Sequence, residues 1–206
     1  MANPTDRVFN VSDSRLLSEL AGIEEDLQAT VMICRKLEVA WTTEPVDTTL
    51  IEALSAAAVV RYWRCFGSGV RRPLPLELLE DLRPKQRELH ALVRDLRNKY
   101  VAHSVSAFED NNVLLELSMP PDAPNIMDIS VDHWRLAGLK ADMARALGNV
   151  AERLAAKVYD LFTAERQRVL ALARSLPLTD IYALPTPPDP IAEWRIAGQK
   201  RPTRYV

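Results

Sequence analysis

Residues 12–41 read SDSRLLSELAGIEEDLQATVMICRKLEVAW, and the prediction of the fold class begins with this stretch. Apolar residues recur along it at steps of three, four or seven: Leu16, Leu20, Ile23, Leu27, Cys34, Leu37 and Trp41. This spacing puts them on one face of an α-helix. Ser12 or Asp13 can cap the helix by accepting a hydrogen bond from a free backbone N–H. The pattern ends at Glu44-Pro45, because the residue before a proline avoids the helical region.

Three further helices are expected downstream. The second begins within residues 47–49 and ends at Gly67-Ser68-Gly69, where glycine favours a helix C-terminus. The third begins at Pro84, and its apolar stripe, continued one more step, reaches His103. The last is capped by Asp132 and carries an apolar seam: Leu136, Leu139, Met143, Leu147, Val150, Leu154, Val158 and Leu161. Such a seam can pack on the rest of a bundle or on a second copy of the chain.

The order of these segments predicts an all-α protein, an up-and-down helical bundle of four long helices. Two short β-prone runs, residues 113–117 and 129–131, predict a small hairpin between the third and fourth helices. We expect a flexible N-terminus over residues 1–11, the bundle over residues 12–176, and a proline-rich C-terminal arm over residues 177–206. The arm is either disordered or lies on a partner.

Composition restricts the class of protein. The chain has 206 residues, of which 48% are hydrophobic and 26% charged, as in ordinary globular proteins. The first eleven residues lack the pattern of a signal peptide, and the longest apolar run is too short to cross a membrane. Cys34 and Cys65 lie within apolar helical patterns and lack metal-ligand spacing. We therefore expect a cytoplasmic protein with reduced cysteines, no metal, no cofactor and no membrane contact.

Charge is unevenly distributed along the chain. The formal net charge is −2, yet residues 61–100 hold ten lysines and arginines against five acidic residues. This window therefore carries +5 and the remainder −7. Two interpretations remain open: solvated helix faces with interleaved charges, or a surface that attracts anions.

The third predicted helix ends Leu96-Arg97-Asn98-Lys99-Tyr100-Val101-Ala102-His103-Ser104. Arginine offers a permanently charged fork of donors that suits phosphate, and histidine exchanges protons near neutral pH. Together they can cleave RNA without a metal ion. On one regular helix, however, residues six apart are rotated by about 240°. Arg97 and His103 can act together if the helix unwinds near His103 or if a symmetric dimer joins two copies of the segment.

Arg97, Asn98, four intervening residues and His103 resemble the Arg-polar-x(n)-His motif of the HEPN superfamily. The segment Arg-Asn-Lys-Tyr-Val-Ala-His-Ser, residues 97–104, is similar to the motif segments of bacterial HEPN proteins of the abortive-infection type. The order of helices over residues 15–174 also looks like this family. The resemblance implies a homodimer with facing motifs and a metal-independent endoribonuclease used in toxin–antitoxin or phage-defence systems. It further implies an RNA substrate and, for toxins, an antitoxin or regulatory protein as partner.

The same resemblance implies roles for individual residues. Arg97 would bind the scissile phosphate, His103 would be the general base or acid, and Asn98 would orient the pair. We add Lys99 and Tyr100, which lie between Arg97 and His103, and Arg94, which precedes them, as candidate substrate-binding residues. The hydroxyl of Tyr100 could reach the same cleft.

Other interpretations stay open at this point. HEPN proteins that have lost activity serve as binding modules, so the chain could be a non-catalytic protein-interaction or nucleotide-binding module. His103 could be a buried histidine favoured by the helix dipole, and Arg97 an ordinary surface arginine. The run Arg61-Tyr62-Trp63-Arg64-Cys65-Phe66 could stack on bases, but its alternation instead favours Trp63 and Phe66 in the core with arginines in solvent.

Overall fold

The structure is a computed structural model that describes residues 6–67, 71–101, 109–118, 126–135 and 138–187, with the backbone alone at residues 100, 101, 109, 110, 134 and 135. Most of this part of the chain is helical. The helices and strands are α1 (Arg15–Thr42), α2 (Thr48–Trp63), α3 (Pro84–Leu96), β1 (Glu109–Leu117), β2 (Ile126–Arg135), α4 (Ala141–Ser175) and α5 (Leu178–Tyr182). The prediction of a mostly helical fold with a hairpin between the third and fourth helices is confirmed.

The core lies where α1 packs against both α2 and α4, while α3 packs against α2 and α4. The apolar stripe of α1 supplies much of it, with Ile23, Leu27, Cys34 and Leu37 all buried. Gly148 of α4 lies directly opposite Cys34, because a Cβ atom added there would stand 3.2 Å from the Cys34 Cβ. The absence of a side chain at Gly148 therefore lets the two longest helices approach closely.

The apolar seam of α4 faces inward. Leu147, Val150, Leu154 and Val158 are all buried, whereas Leu161 near its end is 43% exposed. The sequence allowed this seam to pack either on the rest of the bundle or on a second copy of the chain. In the structure it packs on the rest of the bundle, chiefly on α1. A dimer would therefore have to use another surface.

The prediction that the last helix begins after Asp132 is wrong. Asp132 lies in β2 opposite Asn112, and α4 begins only at Ala141. The chain turns between them at Gly138, whose φ of 130° favours glycine. Leu139 is then held by two hydrogen bonds: its N–H donates to Ser55 Oγ at 2.9 Å, and its carbonyl accepts from Trp41 Nε1 at 2.8 Å. Leu136, the first residue of the expected seam, lies outside the described residues.

The hairpin is longer than predicted, and its two faces differ. In the antiparallel register Val113 lies opposite Val131 and Leu115 opposite Ile129. One face thus carries aliphatic side chains that are each 49–66% exposed: Val113, Leu115, Leu117, Ile126, Ile129 and Val131. The opposite face includes acidic Glu116, Asp128 and Asp132. The aliphatic face is therefore largely open to solvent in this structure.

The two ends of the described chain meet. Val8 donates a backbone hydrogen bond to the Pro185 carbonyl at 2.8 Å, and Arg7 Nε donates to the Tyr182 carbonyl at 3.3 Å. Residues 1–5 and 188–206 of the expected flexible terminus and arm lie outside the described residues. Within the part that is described, no helix combines the length and apolar character needed to cross a bilayer.

Candidate functional site

Helix α3 leads directly into the motif and is held in place at both of its ends. Its start is fixed by Pro84 at the first helical position and by a hydrogen bond from the Arg83 N–H to Gln86 Oε1 at 3.0 Å. Near its end, Val93 and Leu96 are buried in the core. Because apolar residues on one face are buried, the polar residues that follow on other faces are directed outward.

The helical hydrogen-bonding pattern changes from α to π where the motif begins. Residues Arg97–Val101 form a π-helical turn that continues directly from α3. Such turns bond residues five apart instead of four, and they occur frequently at functional sites. Regular α-helical geometry therefore ends at Arg97, the first residue of the motif. The rotation of about 240° that a regular helix gives over six residues does not apply from this position onward.

Arg97 and Asn98 are joined through their side chains. Arg97 Nη1 donates a hydrogen bond to Asn98 Oδ1 at 3.0 Å, and both residues are exposed. Lys99 is exposed beside them. The three polar side chains therefore stand in solvent at the end of α3, within reach of a ligand from outside.

The remaining candidates divide into two groups. Arg94 pairs with its neighbour Asp95, with Nε 3.1 Å from Oδ1. The side chain of Tyr100 and the whole of His103 lie outside the described residues. The structure thus brings together Arg97 and Asn98 and leaves their geometry with respect to His103 as a prediction.

A histidine of α3, His90, lies among aromatic rings of α2 and of the turn that follows it. Its Nδ1 lies 3.0 Å from the Tyr62 hydroxyl, and its ring centre is 4.7 Å from that of Phe66 and 5.4 Å from that of Trp63. Burial lowers the pKa of His90, and the charge of Arg94 lowers it further. His90 stands seven residues before Arg97, which is about 10 Å along a helix, so it does not substitute for His103 at one phosphate.

The expectation for residues 61–66 holds only in part. Tyr62 is the fully buried ring, while Trp63 and Phe66 are half-buried. The two arginines of this run do not simply extend into solvent. Both approach the carboxylate of Asp26, which sequence analysis did not single out.

The carboxylate of Asp26 is surrounded by three arginines. We call these four residues the Asp26 cluster: Asp26, Arg61, Arg64 and Arg71. Arg61 Nη1 lies 2.7 Å from Oδ1, Arg64 Nε lies 3.5 Å from Oδ2, and Arg71 Nη2 also donates to Oδ2. Asp26 is only 1% exposed. Burial would raise the pKa of Asp26, but the hydrogen bonds from Arg71 and Arg61 and the charge of Arg64 outweigh burial and hold it below its usual value.

A signal for this cluster is present in the sequence. Asp26 stands three residues after Ile23 and one before Leu27, within the apolar stripe of α1. A carboxylate on a buried face needs a cationic or hydrogen-bonding partner. Arg61 and Arg64, three residues apart on one helix face, are suitable partners.

The described residues give no support to a metal or thiol site. Among them no group of three or more potential metal ligands comes together. Cys34 and Cys65 are free and buried, and burial raises the pKa of each thiol to about 12. Both cysteines therefore belong to the core.

Two grooves lie elsewhere on the bundle. One of about 540 Å³ runs between the end of α1 and the start of α2, where Val39, Pro45 and Leu50 line it. Another of about 470 Å³ lies between α1 and α4, with Leu20, Leu74 and Leu161 in its wall. Neither is lined by residues of the motif, so both are separate from the candidate site.

No protein-family model, curated protein or solved structure matches this chain. The resemblance to the HEPN superfamily therefore stays a prediction from the motif residues and the order of the helices.

Proposed function

We propose that this chain is a metal-independent endoribonuclease of the HEPN type that acts in the cytoplasm as a homodimer. The observation that carries the proposal is the exposed Arg97–Asn98 pair, joined by a 3.0 Å hydrogen bond at the start of a π-helical turn. An exposed guanidinium held by a neighbour is suited to a phosphate, because its fork of donors is already oriented.

The proposed reaction uses the RNA's own 2′-hydroxyl. His103 removes the proton of this hydroxyl, and the 2′-oxygen attacks the adjacent phosphorus. The bond from phosphorus to the 5′-oxygen breaks, and that oxygen takes up the proton that His103 removed. Arg97 stabilises the additional negative charge on the phosphoryl oxygens, while Asn98 fixes the direction of the guanidinium. The products are a 2′,3′-cyclic phosphate and a 5′-hydroxyl.

The bundle provides the scaffold for this site. We propose an up-and-down arrangement of four long helices in which the motif follows the third, and a dimer in which two motifs share one cleft. The local excess of basic residues over residues 61–100 supports binding of a polyanion, and Lys99 and Arg94 lie within this segment. A toxin or phage-defence effector, kept inactive by a regulatory protein, is the biological role that fits such an enzyme.

The test is RNA cleavage by purified protein in EDTA, with analysis of the product ends. The parent is compared with His103→Ala and Arg97→Gln, and Arg145→Gln serves as a matched arginine control, because Arg145 pairs with Glu38 on another surface. Cyclic-phosphate ends from the parent and Arg145→Gln alone would support the proposal. Unchanged cleavage by His103→Ala, or cleavage abolished by EDTA, would contradict it. Sedimentation of the parent as a strict monomer would contradict the shared cleft.

A second candidate is a non-catalytic HEPN-like module that binds a regulatory protein of the antitoxin kind. The observation that favours it is the hairpin, whose six aliphatic side chains on one face are at least about half exposed. A two-stranded hairpin alone is only marginally stable in water, and burial of such a face against a partner would stabilise it. Absence of cleavage by the parent and all three variants would favour this candidate over the enzyme.

A further inference from the structure

We propose that the Asp26 cluster is a phosphate-binding site, separate from the Arg97 motif. It joins three parts of the chain, because Asp26 lies in α1, Arg61 and Arg64 lie at the end of α2, and Arg71 lies in the connector that follows. The proposal does not depend on ribonuclease activity and stands on the geometry and charge of these four side chains.

The first argument is charge. One carboxylate faces three guanidinium groups, so the cluster retains an excess of two positive charges. The hydrogen bond to Asp26 raises the pKa of Arg61, and the charge of exposed Glu25 raises it further; even with Glu25 counted, one positive charge remains. Like charges held this close repel one another, and a bound anion would relieve that repulsion.

The second argument is exposure. The Asp26 side chain is 2% exposed, whereas the side chains of Arg61, Arg64 and Arg71 are 39%, 52% and 18% exposed. The carboxylate therefore lies beneath the guanidinium groups, and these groups stand between it and solvent. Each guanidinium has five N–H donors, and the contacts with Asp26 use only part of them. Donors on the outer side are thus available to a ligand.

The third argument is steric: Gly22 leaves room for the side chain of Arg71. Gly22 lies inside α1, where alanine would be the better helix former. A Cβ atom at this position would stand 2.6 Å from Arg71 Nη1. The glycine therefore allows the Arg71 guanidinium to lie across α1 and reach Asp26, and the arrangement of the cluster is built into the helix.

The chemistry of the ligand follows from this arrangement. A set of two or three arginines with planar forks of donors matches the oxygens of a phosphate group better than it matches a single point anion. The phosphate could belong to a small phosphorylated compound or to the backbone of RNA. The two sources share the same contacts and are separated by experiment.

The primary measurement is calorimetric titration of the full chain with pyrophosphate. The main variant is Arg64→Gln, because Arg64 is the most exposed of the three and makes the longest contact with Asp26. We expect it to weaken binding about tenfold, as the loss of a charge-assisted contact does. Arg145→Gln is the matched control, since Arg145 forms a 2.6 Å pair with Glu38 and is 66% exposed. Arg61→Gln is the second variant.

The outcomes separate the possibilities. Binding that is weakened by Arg64→Gln and Arg61→Gln, but kept by Arg145→Gln and Arg97→Gln, supports the site. Absence of pyrophosphate binding by the parent, equal losses in Arg145→Gln, or loss only in Arg97→Gln overturns it. Thermal unfolding of each variant shows that any loss is not a failure to fold, and Arg64→Gln should unfold close to the parent because Arg64 contacts Asp26 only at 3.5 Å.

A second titration identifies the source of the phosphate. A single-stranded oligonucleotide of 2′-deoxyribonucleotides cannot be cleaved through a 2′-hydroxyl, so its binding is measured without turnover. If Arg64→Gln weakens this binding and lowers the slope of log affinity against log salt by about one, the site holds a nucleic-acid backbone. If only pyrophosphate binding changes, the site holds a small phosphorylated compound. Cleavage assays can fail in either case without affecting this result.

Discussion

The buried carboxylate of Asp26 accepts a hydrogen bond from Arg61 across 2.7 Å, which joins the middle of α1 to the last turns of α2. Asp26 is 1% exposed, so its charge is removed almost completely from water. Burial of an unpaired carboxylate is unfavourable, and the arginines around it compensate for this. The stability of the α1–α2 packing therefore depends on a charge that lies on the largely apolar, buried face of α1.

Replacement of this charge should destabilise the protein. In Asp26→Asn the three arginines lose their common anion, and we expect the free energy of unfolding to fall by about 3 kcal/mol, the lower end of values for a broken buried pair, because the arginines are partly exposed. Urea denaturation followed by circular dichroism measures this change. Glu38→Gln, which breaks the more exposed pair with Arg145, should lower stability by only about 0.5 kcal/mol. Equal effects of the two substitutions would show that the Asp26 cluster has no special role.

The contribution of Asp26 should also depend on pH. Its pKa is lowered in the folded protein from the usual 3.8, so the folded state binds this proton less readily than the unfolded chain. The stabilisation is therefore fully present above 3.8 and is lost as the pH falls through the lower pKa of the folded state. The difference in unfolding free energy between parent and Asp26→Asn should be largest near pH 7 and smaller near pH 3. A difference that grows on acidification would contradict the direction of the pKa shift.

Asp26 also shows where sequence analysis succeeds and where it stops. The spacing from Leu20 to Leu37 predicted α1 and its buried face, because a helical period repeated over many residues is a strong signal. Asp26 itself was not singled out, since its partners lie 35 to 45 residues away and no local pattern joins them. Long-range pairs of this kind depend on how helices pack, which periodicity does not describe.

The wrong start of the last helix has a similar cause. Asp132 has the properties of a helix cap, and Leu136 continues the apolar period of α4. In the structure the β-prone residues of β2 pair with β1 as far as residue 135, and this pairing takes precedence over the cap. The motif alone identified Arg97 and Asn98 as candidates. The π-helical turn that contains them has no sequence signature that we recognised.

The close approach of α4 to α1 gives a prediction about packing. In Gly148→Val the new Cβ would stand 3.2 Å from the Cys34 Cβ, and the branched side chain would need further space. We expect a loss of about 1–3 kcal/mol, as for other overpacked cores. Ala156→Val on the exposed side of α4 is the control, because it introduces the same β-branched residue without the contact and should change stability by less than about 1 kcal/mol. Urea denaturation of both variants measures the difference.

The hydrogen bond between Arg97 and Asn98 gives a prediction about the site. If Asn98 orients the guanidinium, Asn98→Ala should lower kcat for RNA cleavage by about tenfold, because the arginine then has to be ordered during the reaction. Asn98→Asp keeps an oxygen acceptor at the same place and should retain more activity than alanine. A purely structural role would instead reduce stability without separating the two variants. Asn98 is exposed, so both should unfold close to the parent, and the comparison of kcat with unfolding temperature distinguishes orientation of Arg97 from support of the fold.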